Sequence, residues 1–430
     1  MHTPPASVAQ GVDVVVIGAG PFGLAMSHAL SQRSIRHVVL ERGEVGEAWR
    51  SERWETLRLL TPNWMTQLPG QGYSGNDPGG YMSAAELVAF LSAYARKIAA
   101  PVHTATTVLQ VRKLASGYLV HTDRGDWPCR ALVLASGAYR RPLVPAFASA
   151  LPSTIQQVTA QAYRRPSQLD AGGVLVVGAS ATGLQLAQEI HHSGRPVTLA
   201  TGEHVRMPRL YRGRDIQWWM HASGLLDQRI DDVDDPARVR HLPSPQLVGT
   251  PERATLDLNL LQQQGVQVVG RLAGIRDGRA LFSGSLRNVC ALADLKMNRL
   301  LDGLDAWAER EGLAAGLPPP DRPAATEVAA SPVLSLDLQH IRTVLWATGL
   351  RPDHSWLALP VFDRHGELMH QGGVVTGAPG VYALGLPFMR RRKSSFIHGA
   401  GDDVRELVVH LAAHLDRART ARRQAQQQAA

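Results

Sequence analysis

Gly18, Gly20 and Gly23 stand at GxGxxG spacing. Glycines so placed let a backbone turn tightly, approach a pyrophosphate closely and pack a helix against a strand. The helix that follows aims its unpaired N–H groups and positive dipole end at the phosphate. Glu41 lies twenty-three residues after Gly18 and is placed to take ribose hydroxyls. Pro21, Phe22 and Arg42 flank these positions. The arrangement returns in altered form at Gly178, Ser180 and Gly183, with Ala181 and Thr182 completing the turn. Ser180 replaces the middle glycine, and Thr201 occupies the place of the acid. Arg206 and Arg209 follow. A carboxylate there would repel a ribose 2′-phosphate, whereas threonine and arginine accept one, so this second turn reads as a site for NADPH rather than NADH. The plainer alternative makes these arginines a solvated loop, partly offset by Glu203.

Elements must place these residues. Asp13–Ile17 is a short buried-strand run, Leu24–Leu30 has helical spacing, and His37–Leu40 is a second strand. Val174–Val177, Leu184–His191 and Pro196–Ala200 repeat that order. Leu132–Gly137 and Val344–Gly349 are each a strand ending on glycine, with Arg-Pro soon after. Each is expected to close one dinucleotide fold. Residues 243–335 read as less regular, and 417–430 as a frayed helix end.

Composition agrees with a folded α/β chain of two or three domains. It has 430 residues, 44% apolar and 19% charged, which excludes disorder over its whole length. Two cysteines, Cys129 and Cys290, with no CxxC, exclude a disulfide scaffold, a zinc ribbon and a dithiol redox centre, and suit a reducing cytoplasm. No apolar run approaches the roughly 18 residues of a membrane span, and no secretory pattern precedes Gly18. The net charge of +8 falls partly on the tail, where residues 416–430 carry four Arg and one Asp. It permits nucleic acid, but no nucleic-acid motif accompanies it.

Further motifs carry a resemblance. Gly46-Glu-Ala-Trp49-Arg50, Leu57–Pro62 followed by Leu68-Pro69, Ala135-Ser136-Gly137 with Arg141-Pro142, and Tyr163-Arg-Arg-Pro166 stand in this order. Trp346-Ala347-Thr348-Gly349 and Val381–Gly385 complete the set. Together they resemble the class B flavoprotein monooxygenases, most closely in style the indole-pyruvate monooxygenases, over about Val14–Leu411. The resemblance implies two Rossmann-like domains, the NADPH domain inserted into the FAD domain. Residues 1–168 would begin the FAD domain, 169–351 form the NADPH domain with its irregular insertion, and 352–430 return to FAD and end in a helix. FAD would meet Gly18, Gly20, Pro21, Phe22, Gly23, Glu41, Arg42, Trp49, Leu60, Thr61, Val108, Ala135, Ser136, Gly137 and Gly385. NADPH would meet Gly178, Ser180, Ala181, Thr182, Gly183, Thr201, Arg206, Arg209, Ala347, Thr348 and Gly349. The implied activity oxygenates a small organic molecule with O2 through a flavin C4a-(hydro)peroxide. Where the family carries a histidine before the linker tyrosine, this chain has Thr159.

The cofactor carries such chemistry, so few catalytic side chains are required. Thr61 and Asn63, which follow the strand-like run Leu57–Leu60, are candidates to hydrogen-bond the flavin edge, or else simple turn residues. Lys393, within Arg390–Ser395, is a candidate to stabilise anionic reduced flavin, or part of a solvated basic loop. His410 and His414 share a helix face but lack the Glu of HExxH and a third ligand, so no metal site is expected. Trp218 and Trp219 either line a substrate entrance or pack in a core. An NADPH-dependent flavin reductase that does not oxygenate is the enzyme alternative. A flavin-bearing regulatory or nucleic-acid-binding protein is the non-enzyme one. A homo-oligomer is left open.

Overall fold

The computed structural model describes residues 11–428. The chain opens with β1 (Val12–Ile17), α1 (Pro21–Gln32) and β2 (His37–Leu40). Helix α2 (Ala84–Lys97) and strands β3 (Val102–His103), β4 (Val108–Lys113), β5 (Tyr118–Thr122) and β6 (Gly125–Leu134) follow. Next come β7 (Gln156–Thr159), β8 (Gly173–Val177), α3 (Ala181–His192), β9 (Val197–Thr201) and β10 (Gln267–Gly270). Helix α4 (Leu286–Arg310) and β11 (Ile341–Trp346) lead to β12 (His370–Gln371), β13 (Val374–Val375), β14 (Val381–Ala383) and α5 (Ala400–Gln428).

Two principal sheets result. The first runs β12-β13-β14-β6-β1-β2-β3, with the β4–β5 hairpin paired to the outer half of β6. The second runs β10-β9-β8-β11-β7 and is parallel throughout. Parallel strands need crossovers on their faces, so β-branched runs buried on both sides are expected in such sheets. In β1, Val14 and Val16 face the core formed with α1, α2 and α5, while Val15 and Ile17 face the opposite core. In β8, Val174 and Val176 meet Leu184, Ala187 and Ile190 of α3, and Leu175 and Val177 point to the other side.

The two strand-then-glycine segments leave their sheets and meet. Arg141–Pro142 pairs antiparallel with Leu350–Arg351, so the two crossings between the sheets form one short ribbon. Strand β7 precedes residue 169 yet is the edge of the second sheet.

Two expectations are corrected. Residues 243–335 contain α4, at 25 residues a long helix whose buried Leu286, Cys290, Ala293, Met297, Leu301, Leu304 and Ala308 repeat every three or four positions. Its apolar stripe is interspersed with Asp, Asn and Arg, which hid the period. Leu57–Leu60, expected as strand-like, makes only an isolated bridge from Arg58 to Ser83. Among the described residues no helix is long and apolar enough to cross a membrane.

The first turn closes on a backbone contact: a Cβ on Gly23 would lie 1.9 Å from the Gly18 carbonyl oxygen, whereas one on Gly20 would meet nothing within 4 Å. Gly23→Ala is therefore expected to lower stability by about 1–3 kcal/mol in urea unfolding. Gly20→Ala is expected to leave stability within about 0.5 kcal/mol of the parent.

Candidate active site

The two turns are near-copies. Gly18 and Gly178 both take φ +108°, a conformation that favours glycine. Gly20 takes φ −81°, ψ −174°, and Ser180 takes φ −81°, ψ −175°. Any residue adopts that backbone, and a Cβ on Gly20 meets nothing within 4 Å, so neither φ nor packing within the protein demands glycine at the middle position. The closing contact recurs too, with a Cβ on Gly183 falling 1.8 Å from the Gly178 carbonyl oxygen. Both turns lean on the strand-then-glycine segments. A Cβ on Gly18 would meet the Ala135 carbonyl oxygen at 2.5 Å, and one on Gly178 the Ala347 carbonyl oxygen at 2.4 Å. Gly137 and Gly349 complete the match at φ +90° and +99°.

Hydrogen bonds fix the acid's position. Gly18 N–H donates to the Leu40 carbonyl at 2.8 Å, and Gly178 N–H to the Ala200 carbonyl at 2.9 Å. Glu41 and Thr201 are therefore counterparts. The Glu41 carboxylate sits at the first turn, accepting from Ala19 N–H at 2.8 Å and Gly43 N–H at 3.2 Å. Thr201 is buried, and its hydroxyl has no partner.

The first turn fits a dinucleotide. Open space lies beyond Gly20, an acid stands at the next strand's end, and the buried Ser136 hydroxyl has no partner. Buried polar atoms left unpaired are uncommon and call for a ligand group or water. Pro21 is the first residue of α1, and Phe22 faces Gly385, whose Cβ would fall 2.7 Å from the Phe22 ring. Val108 follows Thr106, whose N–H donates to the Glu41 carbonyl at 2.8 Å. Trp49 packs against cores of both sheets. Asn63 is buried; its amide nitrogen donates to the Asp77 carbonyl at 2.9 Å, and its Oδ1 has no partner. Thr61 is half-buried beside it. Thr348 donates to the Leu143 carbonyl, tying the second turn to the ribbon.

Three expected cations are committed elsewhere. The buried Arg206 guanidinium binds Asp294 at 2.6 Å and Asp257 at 2.7 Å. Burial would lower its pKa, but the hydrogen bonds it donates to these carboxylates raise it above the ordinary value. Arg209 is buried against Asp215, donates to the Leu60 carbonyl at 2.8 Å, and lies 4.9 Å from the centre of the Tyr81 ring. Lys393 is buried between Asp227 at 2.6 Å and Asp402 at 2.7 Å. A desolvated cation needs fixed counter-charges, and these groups found theirs inside the protein. Trp219 belongs to a core, 6.1 Å from Trp307 between ring centres. His410 Nδ1 lies 2.9 Å from the Tyr382 hydroxyl.

Two clusters escaped the sequence reading. Glu52 is bound by Arg140 at 2.7 Å, by Gln161 at 2.8 Å, and by Arg42. Burial pushes its carboxyl up, but the Gln161 hydrogen bond and the two guanidiniums outweigh this and hold it below the usual range. The second cluster is Trp64, His221 and His398, with the two imidazoles 5.1 Å apart. Both ring nitrogens of His398 and Nδ1 of His221 are buried without partners. Burial, then the Lys393 charge, lowers the His398 pKa to about 4. Only tertiary contact joins residues so far apart in sequence. Among the described residues no group of three or more His, Cys, Asp or Glu side chains is placed to hold a metal ion.

Fold and site together define an α/β protein with a dinucleotide-type glycine turn at the edge of each principal sheet. Residues 15–220 match the family described as pyridine nucleotide-disulphide oxidoreductase. A CzcO-like oxidoreductase of Geobacillus kaustophilus is 31% identical over 414 residues, spanning 94% of this chain and 99% of the relative. The indole-3-pyruvate monooxygenase YUCCA1 of Oryza sativa is 30% identical over 200 residues, 45% of this chain and 49% of that protein. The solved flavin-containing monooxygenase of Stenotrophomonas maltophilia superposes with a TM-score of 0.67 at 21% identity, covering 94% of this chain and 99% of its own. The chain belongs to the family of CzcO-like oxidoreductases, and its fold is that of the solved flavin-containing monooxygenase.

Removing Arg206 strands two carboxylates in a buried setting, so Arg206→Met is expected to cost about 3–5 kcal/mol in urea unfolding. His398 is expected to titrate near 4 by NMR. A histidine whose folded pKa is depressed takes up its proton more readily when unfolded. Its contribution to stability is therefore lost as pH falls from about 6.5 toward the folded value of about 4.

Proposed function

We propose that the protein is an FAD-dependent monooxygenase that uses NADPH and O2 to oxygenate a small organic substrate in a reducing cytoplasm. The observation that carries this reading is the pairing of two near-identical turns with opposite surroundings. Gly20 and Glu41 make a cradle with room for a pyrophosphate and an acceptor for ribose hydroxyls. Ser180 and Thr201 make one in which no carboxylate stands at the ribose. One chain then holds a flavin and a nicotinamide dinucleotide, with residues 169–351 and the edge strand β7 as the NADPH domain inserted between two FAD segments.

Bound FAD supplies the redox and oxygen chemistry. The protein binds and orients. The N–H groups and dipole of α1 would hold the FAD pyrophosphate, and those of α3 that of NADPH. Ser136 and Asn63 each offer a buried, unpaired oxygen on the flavin side. Trp64, Met65, Met220 and Phe396 pack into an apolar group that limits water beside the imidazole pair. Glu52, held by Arg42 from one unit and by Arg140 and Gln161 near the ribbon, fixes how the units face each other.

A second reading, an NADPH-dependent flavin reductase without oxygenation, is favoured by Thr159. It ends β7 with its hydroxyl oxygen accepting from Ala162 N–H at 3.3 Å, where the family has histidine.

Stopped-flow absorbance distinguishes them. On anaerobic mixing with NADPH, the flavin absorbance is expected to bleach. On mixing the reduced protein with oxygenated buffer, a transient near-ultraviolet absorbance is expected before oxidised flavin returns. Direct return to oxidised flavin would favour the reductase, and no bleaching by NADPH would sink both readings.

A further inference from the structure

With Arg206 and Arg209 consumed by internal carboxylates, a different residue must supply any cation at the ribose end of the second turn. The internal repeat locates it. Leu40 and Ala200 are counterparts, because each accepts from the first glycine of its turn. Leu40 pairs with His103 of β3, and Ala200 pairs with Val269 of β10. Two residues further along each neighbouring strand stand Ala105 in the first half and Arg271 in the second. The end of β2 thus presents a carboxylate with an alanine one residue beyond the position it faces, and the end of β9 a threonine with an arginine one residue beyond its partner Gly270.

Three observations bear on what Arg271 does. It is exposed, and none of the ion pairs among the described residues involves it. Its stem lies along Gly202, where a Cβ would sit 3.5 Å from Arg271 Cγ and 3.6 Å from Cδ. Thr201, next to Gly202 and paired with Gly270, is 1% exposed and keeps an unpartnered hydroxyl. In parallel sheets ligands bind beyond the carboxyl ends of the strands, which is where Thr201 and Arg271 lie side by side. Lys296 reaches the same corner, but its ammonium is 3.4 Å from Glu203.

We propose that Arg271, delivered from the strand beside the ribose-binding strand, reads a ribose 2′-phosphate and makes the second site selective for the phosphorylated nicotinamide dinucleotide. This rests on the reading of the second turn as a nicotinamide site and names the residue that sets its specificity. Planar guanidinium suits a phosphate through paired hydrogen bonds, which a lysine cannot reproduce.

The test is isothermal titration calorimetry of the FAD-loaded protein with NADP+, NAD+, 2′,5′-ADP and 5′-AMP. The parent is expected to bind NADP+ more tightly than NAD+, and 2′,5′-ADP more tightly than 5′-AMP. Arg271→Ala is expected to weaken NADP+ and 2′,5′-ADP by about 10- to 100-fold, and to change NAD+ and 5′-AMP by less than about twofold. Arg271→Lys is expected to fall between, and flavin absorbance and the thermal midpoint to stay at parent values. If the parent prefers NADP+ and Arg271→Ala keeps that preference, the inference is overturned while the NADPH reading stands. Loss of preference in Lys296→Ala but not in Arg271→Ala overturns it equally. A parent that does not discriminate removes the NADPH reading itself, and one that binds none of the four removes the nicotinamide site.

Discussion

Each half of the molecule depends on one close approach of backbone to backbone. Gly23 lies so near the Gly18 carbonyl, and Gly183 so near the Gly178 carbonyl, that neither position admits a side chain. That contact holds the helix start against the strand end and points the free N–H groups of the helix into the open edge of the sheet. The flanking valines bury the strand on both faces, and the alternation within β1 and β8 keeps the turn at the sheet edge. The turn is therefore rigid where it must meet a ligand, and variable at one place, the middle residue, where φ makes no demand.

Charge is distributed by a second constraint. The chain carries +8 overall, yet several of its cations near the candidate site are turned inward. Arg206, Arg209 and Lys393 are neutralised by five carboxylates, which lock α4, the region around Asp215 and the start of α5 in place. Breaking such a pair strands a buried charge, so these residues read as structural fasteners. Under the proposed function, Glu41 against Thr201 and Ala105 against Arg271 are the differences that would tell one dinucleotide from another.

The strand–turn–helix units were legible in the sequence because their signals are local. Val12–Ile17 and His37–Leu40 fall where valine runs place them, and the glycines mark the turns within a few residues. The equivalence of Ala135–Gly137 with Ala347–Gly349 was also legible, since strand and glycine sit together in the chain. What stayed hidden is non-local. Asp257 and Asp294, which claim Arg206, lie 51 and 88 residues away from it. Arg271 is brought to Thr201 only by the pairing of β9 with β10. His221 and His398 meet across 5.1 Å with most of the second half of the chain between them. Spacing in sequence carries no trace of such encounters, so nothing near Arg206 and Arg209 in the chain announces all of their internal partners.

The central claim is that one chain holds two unlike dinucleotides at once, one in each turn. Native mass spectrometry of the protein incubated with FAD and NADP+ tests it most directly. The account predicts a species carrying one FAD and one NADP+ per chain, with neither ligand displacing the other. Competition between them, so that each chain carries one or the other but not both, would contradict it.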